Sequence, residues 1–229
     1  MSDIGSLDNG VYSLRGTPLP ELIREADFVS SLWLAWTGAR PEAPVRRLIE
    51  ACLVACIDHG KEPPSAHTAR VVASTGKPLA DSVAAGLLTI GPLHGNACAA
   101  AARWIGEAVM NGVSAADVIK DFEEHGQRVP GIGHPVYEID PRTQALFALA
   151  DDTLPSSIHL ELVTVVAHLL SEQKGKTMPV NVDGAIGAII AALGVEPELA
   201  DALFLVARTV GLVAHAREEA ATSTSYRRG

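Results

Sequence analysis

A formal net charge of −9 over 229 residues argues against nucleic acid or an anionic membrane as the main partner, because both repel an acidic chain. With 48% apolar and only 4% aromatic residues, alanine, leucine and valine must carry the core, a composition that suits closely packed helices. No uninterrupted apolar run reaches the ~18 residues of a membrane span, and the opening MSDIGSLDNG lacks a basic region followed by an apolar stretch, so no secretory signal is expected and the chain is placed in the cytoplasm.

Residues 1–18 read as a polar lead-in with a short strand or turn between Tyr12 and Gly16. Pro18 and Pro20 open one helical pattern that runs to about Trp36 through Leu22, Ile23, Phe28, Leu32 and Leu34, and Thr37-Gly38 and Pro41 stop it. Val45, Leu48, Ile49, Cys52, Leu53 and Cys56 recur at helical spacing over 43–58. Gly60 to Ser65, with a proline pair inside, breaks the chain; helices are expected at 65–75 and 79–90 before Gly91-Pro92 breaks it again. Further helices are expected at about 95–111 and at 114–126, the latter capped by Ser114. After the break at 129–133, helices at about 140–151, 155–173, 181–193 and 196–220 complete the chain. There is no repeat, no array of period-2 strands and no linker long enough to force two domains, so a single all-α domain over 1–229 is expected.

The residues able to carry chemistry sit mostly at the breaks. His59 follows Asp58 at a helix end, His94 lies in the glycine-bounded stretch 91–95, and His134 lies in Pro130-Gly131-Ile132-Gly133-His134-Pro135. Glycine lets the backbone turn tightly and approach a ligand, and an imidazole held there can give or take one well-aimed proton. Each of the three equally fits a turn or capping histidine. Asp183, flanked by apolar residues, should be hard to ionise and could act as a general base; it also fits an N-cap for the helix that follows. Arg142 stands in the first turn of a helix, and Arg208 interrupts the apolar run 203–212, where it needs an anionic partner that could be a substrate or a structural ion-pair partner. Arg227 and Arg228 lie in the tail, where a solvated terminus is the simpler reading. The cysteines, Cys52, Cys56 and Cys98, are odd in number, which fits reduced thiols. Cys52, Cys56 and His59 share a helix face and could be read as a metal site, but two small thiols at core spacing are more simply packing, and no metal is expected. No phosphate loop, no H-E-x-x-H and no dinucleotide fingerprint occurs.

Taken together and in order, these motifs resemble the citrate synthase superfamily. The stretch 91–95 resembles the family's first catalytic-histidine loop, 130–142 its second, and Asn181-Val182-Asp183 its catalytic-aspartate motif. Asp58-His59 followed by 65–68 resembles its first citrate-contacting stretch, and 207–211 with Tyr226-Arg227 its two late arginine motifs. The short spacing before Asp58 and the stretch 184–187 are similar to the citryl-CoA lyase module that also forms the C-terminal part of ATP-citrate lyase, whereas the loop around His94 looks more synthase-like. Two positions depart from the family pattern: Pro135 stands where Arg or Ala is common, and Glu138 where a basic residue is common.

The resemblance implies a citrate synthase-like fold, with a large helical domain and a smaller helical lobe at about 114–190, assembled as a homodimer or higher homo-oligomer. It implies that Asp183, His94 and His134 are catalytic, with Asp183 the base, His94 the partner of the thioester oxygen and His134 the partner of the oxo-acid carbonyl. His59, Arg142, Arg208 and, from a partner subunit, Arg227 would hold carboxylates. Val129, Pro130, Gly131, Ile132 and Gly133 would lie against coenzyme A. No bound cofactor is implied: the CoA thioester is itself a substrate, either citryl-CoA or acetyl-CoA with oxaloacetate. The activity implied is cleavage of citryl-CoA; condensation by a short citrate synthase or 2-methylcitrate-type synthase, and a non-catalytic subunit binding CoA or a tricarboxylate, are the alternatives.

Overall fold

Helix-forming periodicity governs most of the sequence, and the computed structural model, which describes residues 4–91, 94–95, 97–155 and 157–222, follows it. After a small N-terminal sheet the described residues form α1 (Leu19–Glu25), α2 (Phe28–Thr37), α3 (Ala43–Cys56), α4 (Pro64–Ser74), α5 (Leu79–Leu87), α6 (Cys98–Asn111), α7 (Ala115–Glu124), α8 (Pro141–Thr153), α9 (Ile158–Lys174), α10 (Val182–Ala192) and α11 (Glu198–Thr222). The all-α expectation therefore holds. The chain divides into two compact units, Met1–Ala51 and Cys52–Gly229.

The first unit differs from the expectation in two places. The lead-in is an antiparallel three-stranded sheet, β1 (Gly5–Asp8), β2 (Val11–Leu14) and β3 (Thr17–Pro18), rather than a single strand or turn. Two turns account for it: Asn9 and Gly10 have φ of 51° and 78°, and Arg15 and Gly16 have φ of 49° and 77°. Paired positive φ is the two-residue hairpin geometry that Asn-Gly favours. The single helix expected up to Trp36 is two, because Ala26 is extended and Asp27 starts α2, its carboxylate accepting the Ser30 amide at 2.8 Å.

In the second unit α10 is the central helix. Its residues Val182 and Gly184 to Ile190 are all buried, and it packs against α6, α8, α9 and α11. The long α11 packs on α4, α5 and α6. It is also, with a mean hydropathy of 1.5 over its most apolar window, the one described helix long and apolar enough to cross a membrane by those measures. Arg208 interrupts its apolar run, which is why no uninterrupted span is seen in the sequence. The helix buries Leu203, Phe204, Ala207, Arg208, Gly211 and Leu212 inside the protein.

The segment before His134 is tied to the start of α10. The Gly133 amide donates to the Pro179 carbonyl at 2.7 Å, the Asn181 amide to the Gly131 carbonyl at 3.0 Å, and Asn181 Nδ2 to the Gly133 carbonyl at 2.8 Å. This brings Gly131, at φ 84°, so close to Gly184 that a Cβ on Gly131 would lie 2.4 Å from the Gly184 Cα. Gly131→Ala should therefore lose about 3 kcal/mol of folding stability in denaturant titrations, from strain and overlap together. A loss below about 1 kcal/mol would show that the loop can withdraw from α10 freely.

Candidate active site

The sequence elements that carry His59, His94, His134, Arg142 and Asp183 converge on one cavity of about 510 Å³, which Asp58, Asn181 and Phe204 also line. All of these residues belong to the second unit.

His94 is held by α4. Its Nε2 lies 2.9 Å from Ser65 Oγ, and the Ser65 backbone amide reaches the same nitrogen at 3.4 Å. An amide can only donate, so Nε2 accepts and the proton of the neutral ring sits on Nδ1. Burial lowers the His94 pKa, the Arg208 charge lowers it further, and Asp183 only partly offsets them, so the ring is neutral at physiological pH.

His134 has the opposite tautomer. Its Nδ1 accepts the backbone amides of Val136 and Tyr137 at 3.0 Å each, which leaves the proton on Nε2. That Nε2 stands 3.5 Å from Arg142 Nη2. Two donors facing each other make no hydrogen bond, but together they frame a place for an oxygen. Arg142 is aimed by Asp140, which is buried, caps α8 and takes Nε at 2.9 Å and Nη2 at 2.7 Å in a two-point pair.

Asp183 does not cap α10; Asn181 does, its Oδ1 accepting the amides of Asp183 and Gly184 at 3.0 and 3.1 Å. The Asp183 carboxyl is thereby left free of a capping role in the first helical turn and lines the cavity. Burial raises its pKa; the hydrogen bond from Cys98, at 3.1 Å, and the charges of Arg142 and His134 act the other way without overcoming it. It is a carboxyl that burial keeps protonated further up the pH scale than an exposed aspartate.

Arg208 lies behind the cavity wall, fully buried, rather than on it. One guanidinium nitrogen, Nη2, donates to His59 Nδ1, Nη1 is 3.8 Å from Asp58 Oδ1, and the group sits 5.1 Å from the Phe204 ring centroid. Its Nε and Nη1, and His59 Nε2, are buried without a hydrogen-bond partner. Because Arg208 donates to Nδ1, the His59 proton is on Nε2. Burial and then the Arg208 and Arg142 charges push the His59 pKa down to about 3, so this ring too is neutral. Asp58 accepts from His215 at 2.8 Å and from the Gly60 amide at 3.0 Å, contacts that outweigh its burial and keep it ionised.

A second cavity of about 640 Å³ shares Gly133, His134 and Pro135 with the first and is edged by Arg128, Lys174 and Lys176. Of the five residues expected against CoA, Val129, Ile132 and Gly133 line it. Pro130 and Gly131 are turned inward instead: the Pro130 carbonyl accepts from Trp104 Nε1 at 3.0 Å, and Gly131 packs on Gly184. Arg227 lies outside the described residues. Cys52 and Cys56 are buried, and burial first, then the Asp183 charge, pushes the Cys56 thiol up to about 12. With His59 on the cavity instead, the three do not form a metal site, and no trio of metal-binding side chains occurs among the described residues. Ser65, Cys98, Asp140 and His215 complete the site; in the sequence Ser65 stands only within the stretch 65–68 and Cys98 only among the reduced thiols, no role is given to Asp140 or His215, and Asp140, placed before Pro141 and Arg142, carries a local signal, that of an N-cap.

Residues 3–228 match the family described as citrate synthase, C-terminal domain. The ATP-citrate synthase beta chain protein 2 of Arabidopsis thaliana is 33% identical over 222 residues, covering 87% of this chain and 36% of the relative, so the chain spans about a third of the length of such curated relatives. The structure of citryl-CoA lyase from Hydrogenobacter thermophilus is 37% identical and superposes with a TM-score of 0.93, covering 100% of this chain and 90% of that one. ATP citrate lyase from Methanosaeta concilii, solved with (3S)-citryl-CoA, is 26% identical with a TM-score of 0.91 over 100% of this chain and 40% of that one. The motifs, the fold and these matches agree: the chain belongs to the citrate synthase family.

Proposed function

We propose that this chain cleaves citryl-CoA to acetyl-CoA and oxaloacetate. The observation that carries the reading is the pairing, in one cavity, of a hard-to-ionise carboxyl with two histidines whose N–H positions are set by backbone amides. Breaking the bond between the thioester methylene and the carbinol carbon needs three things. The hydroxyl must give up its proton, to solvent water entering the cavity, as it becomes a carbonyl, while His134 Nε2–H and Arg142 stabilise the charge passing through that oxygen. The electron pair left on the methylene must be held as an enol, which His94 Nδ1–H does at the thioester oxygen. The methylene carbon must then gain a proton, which Asp183 delivers because burial keeps it protonated further up the pH scale than a surface aspartate. The carboxylates face His59 and Arg142, and the basic edge of the second cavity suits the phosphates of CoA.

The same groups run in reverse would condense acetyl-CoA with oxaloacetate, and the synthase-like loop around His94 favours giving that second reading equal scrutiny. Incubation with citryl-CoA should release oxaloacetate, followed by coupled reduction to malate; incubation with acetyl-CoA and oxaloacetate should form citryl-CoA if condensation is the working direction, with free CoA thiol released only as water hydrolyses that thioester. Turnover in neither assay sinks both readings.

A further inference from the structure

Cys98 is the first residue of α6, fully buried, and 85 residues from Asp183 in sequence, yet its Sγ–H donates to Asp183 Oδ1 at 3.1 Å. Among the described residues no other side chain hydrogen-bonds to that carboxyl. The start of α6 is itself anchored from outside the helix: its cap, Ala97, offers no side-chain acceptor, and the Ala99 amide donates instead to Asp201 Oδ1 of α11 at 2.8 Å. The thiol is therefore delivered to the carboxyl by a clamped helix end, while Asn181 fixes the backbone of Asp183 from the other side.

We propose that Cys98 is the positioning residue of Asp183: its thiol holds Oδ1 and so presents the other carboxyl oxygen to the cavity. The inference rests on the reading of Asp183 as the proton carrier. A thiol suits this task because it is a weak, neutral donor. An arginine or several amides in its place would orient the carboxyl equally well but would favour the ionised form strongly, by one or more pH units. Cys98 remains a donor because burial, then the Asp183 charge, holds its own ionisation far above the ordinary thiol range. Other charged or titratable groups that act on Asp183 or are acted on by it are Arg142 from α8 and Asp140 at its N-cap, His134 and His94 from the loops, Asp201 and Arg208 from α11 and Cys56 from α3. None of them supplies a hydrogen bond to its carboxyl.

The test uses the full chain, with Cys98→Ala and Cys98→Ser, and reads two things. The first is the titration of the Asp183 carboxyl carbon by NMR, assigned by its loss in Asp183→Asn. Losing a donor to the charged form should raise the midpoint by about half a pH unit or more in Cys98→Ala, and the stronger hydroxyl donor should bring it back to or below the starting value in Cys98→Ser. The second is citryl-CoA cleavage, where kcat should fall roughly 10- to 100-fold in Cys98→Ala with KM little changed, and recover in Cys98→Ser. An unmoved titration in both variants overturns the positioning role whether or not the chain turns over citryl-CoA. Absence of turnover in the unaltered chain with the titration shifting as expected leaves the contact established and removes the assigned reaction, so the two failures are told apart.

Discussion

Asp183→Asn should lower citryl-CoA cleavage by about 10³-fold while leaving a fully folded protein. Asparagine keeps the shape and can still accept from Cys98, so the loss reports the missing proton rather than a displaced helix. The variant should in fact be the more stable one near neutral pH. The folded carboxyl has a raised pKa, so the folded state holds its proton over a range where the unfolded chain has already released it. Stability is therefore fully present below the unfolded value and falls as pH rises through the folded one, and an amide removes that loss. The sign for catalysis follows from the same shift. Cleavage needs Asp183 protonated at the enol stage, so its rate should decline as pH rises through the carboxyl's raised value. Condensation needs it ionised, and its rate should climb over the same interval. Measured pH–rate profiles in the two directions should therefore show opposing limbs. Two limbs of the same sign would assign the proton transfer to another group.

Much of this centre was readable in advance, and the reason is local. His94 and His134 sit in glycine-bounded breaks, Asp183 precedes an unbroken apolar helix, and Arg208 interrupts one; each is an anomaly against its immediate neighbours. The helix order was equally readable, because apolar spacing repeats within each segment. What escaped depends on distance along the chain. Ser65 meets His94 across 29 residues and Cys98 meets Asp183 across 85, and nothing near either residue points to that partner. The tautomers of His94 and His134 follow from a backbone amide of α4 and from two amides just beyond His134, which only folded geometry reveals. At Asp183 the local signal was ambiguous: an aspartate at a helix start fits a cap as well as a base, and the assignment turned on Asn181, two residues earlier, taking the capping role. The split between α1 and α2 was likewise masked by apolar residues that continue on both sides of Asp27.

Arg208→Met should weaken binding of citrate or the citryl group by about 100-fold or more, yet leave folding stability within about 1 kcal/mol of the unaltered chain, or raise it. The expectation comes from what the guanidinium lacks. It is fully buried, its Nε and Nη1 have no hydrogen-bond partner, and the Asp58 carboxylate is 3.8 Å away. Its desolvation is accordingly offset only in part, by His59 and the face of Phe204. A methionine of similar length would fill the space without that penalty. What it would not do is fix His59 with its proton on Nε2, nor supply the positive charge that reaches both His59 and His94 from behind the wall. A carboxylate entering the cavity would lose both a donor and a field. Arg208→Lys should not restore binding, since an ammonium lacks the planar guanidinium that reaches His59 Nδ1 while lying against the Phe204 ring. Thermal unfolding with and without citrate reads both quantities at once: the variant's midpoint without ligand should stay put or rise, and the citrate-induced increase should vanish. A large drop in the ligand-free midpoint with the citrate response intact would instead make Arg208 a structural partner of Asp58.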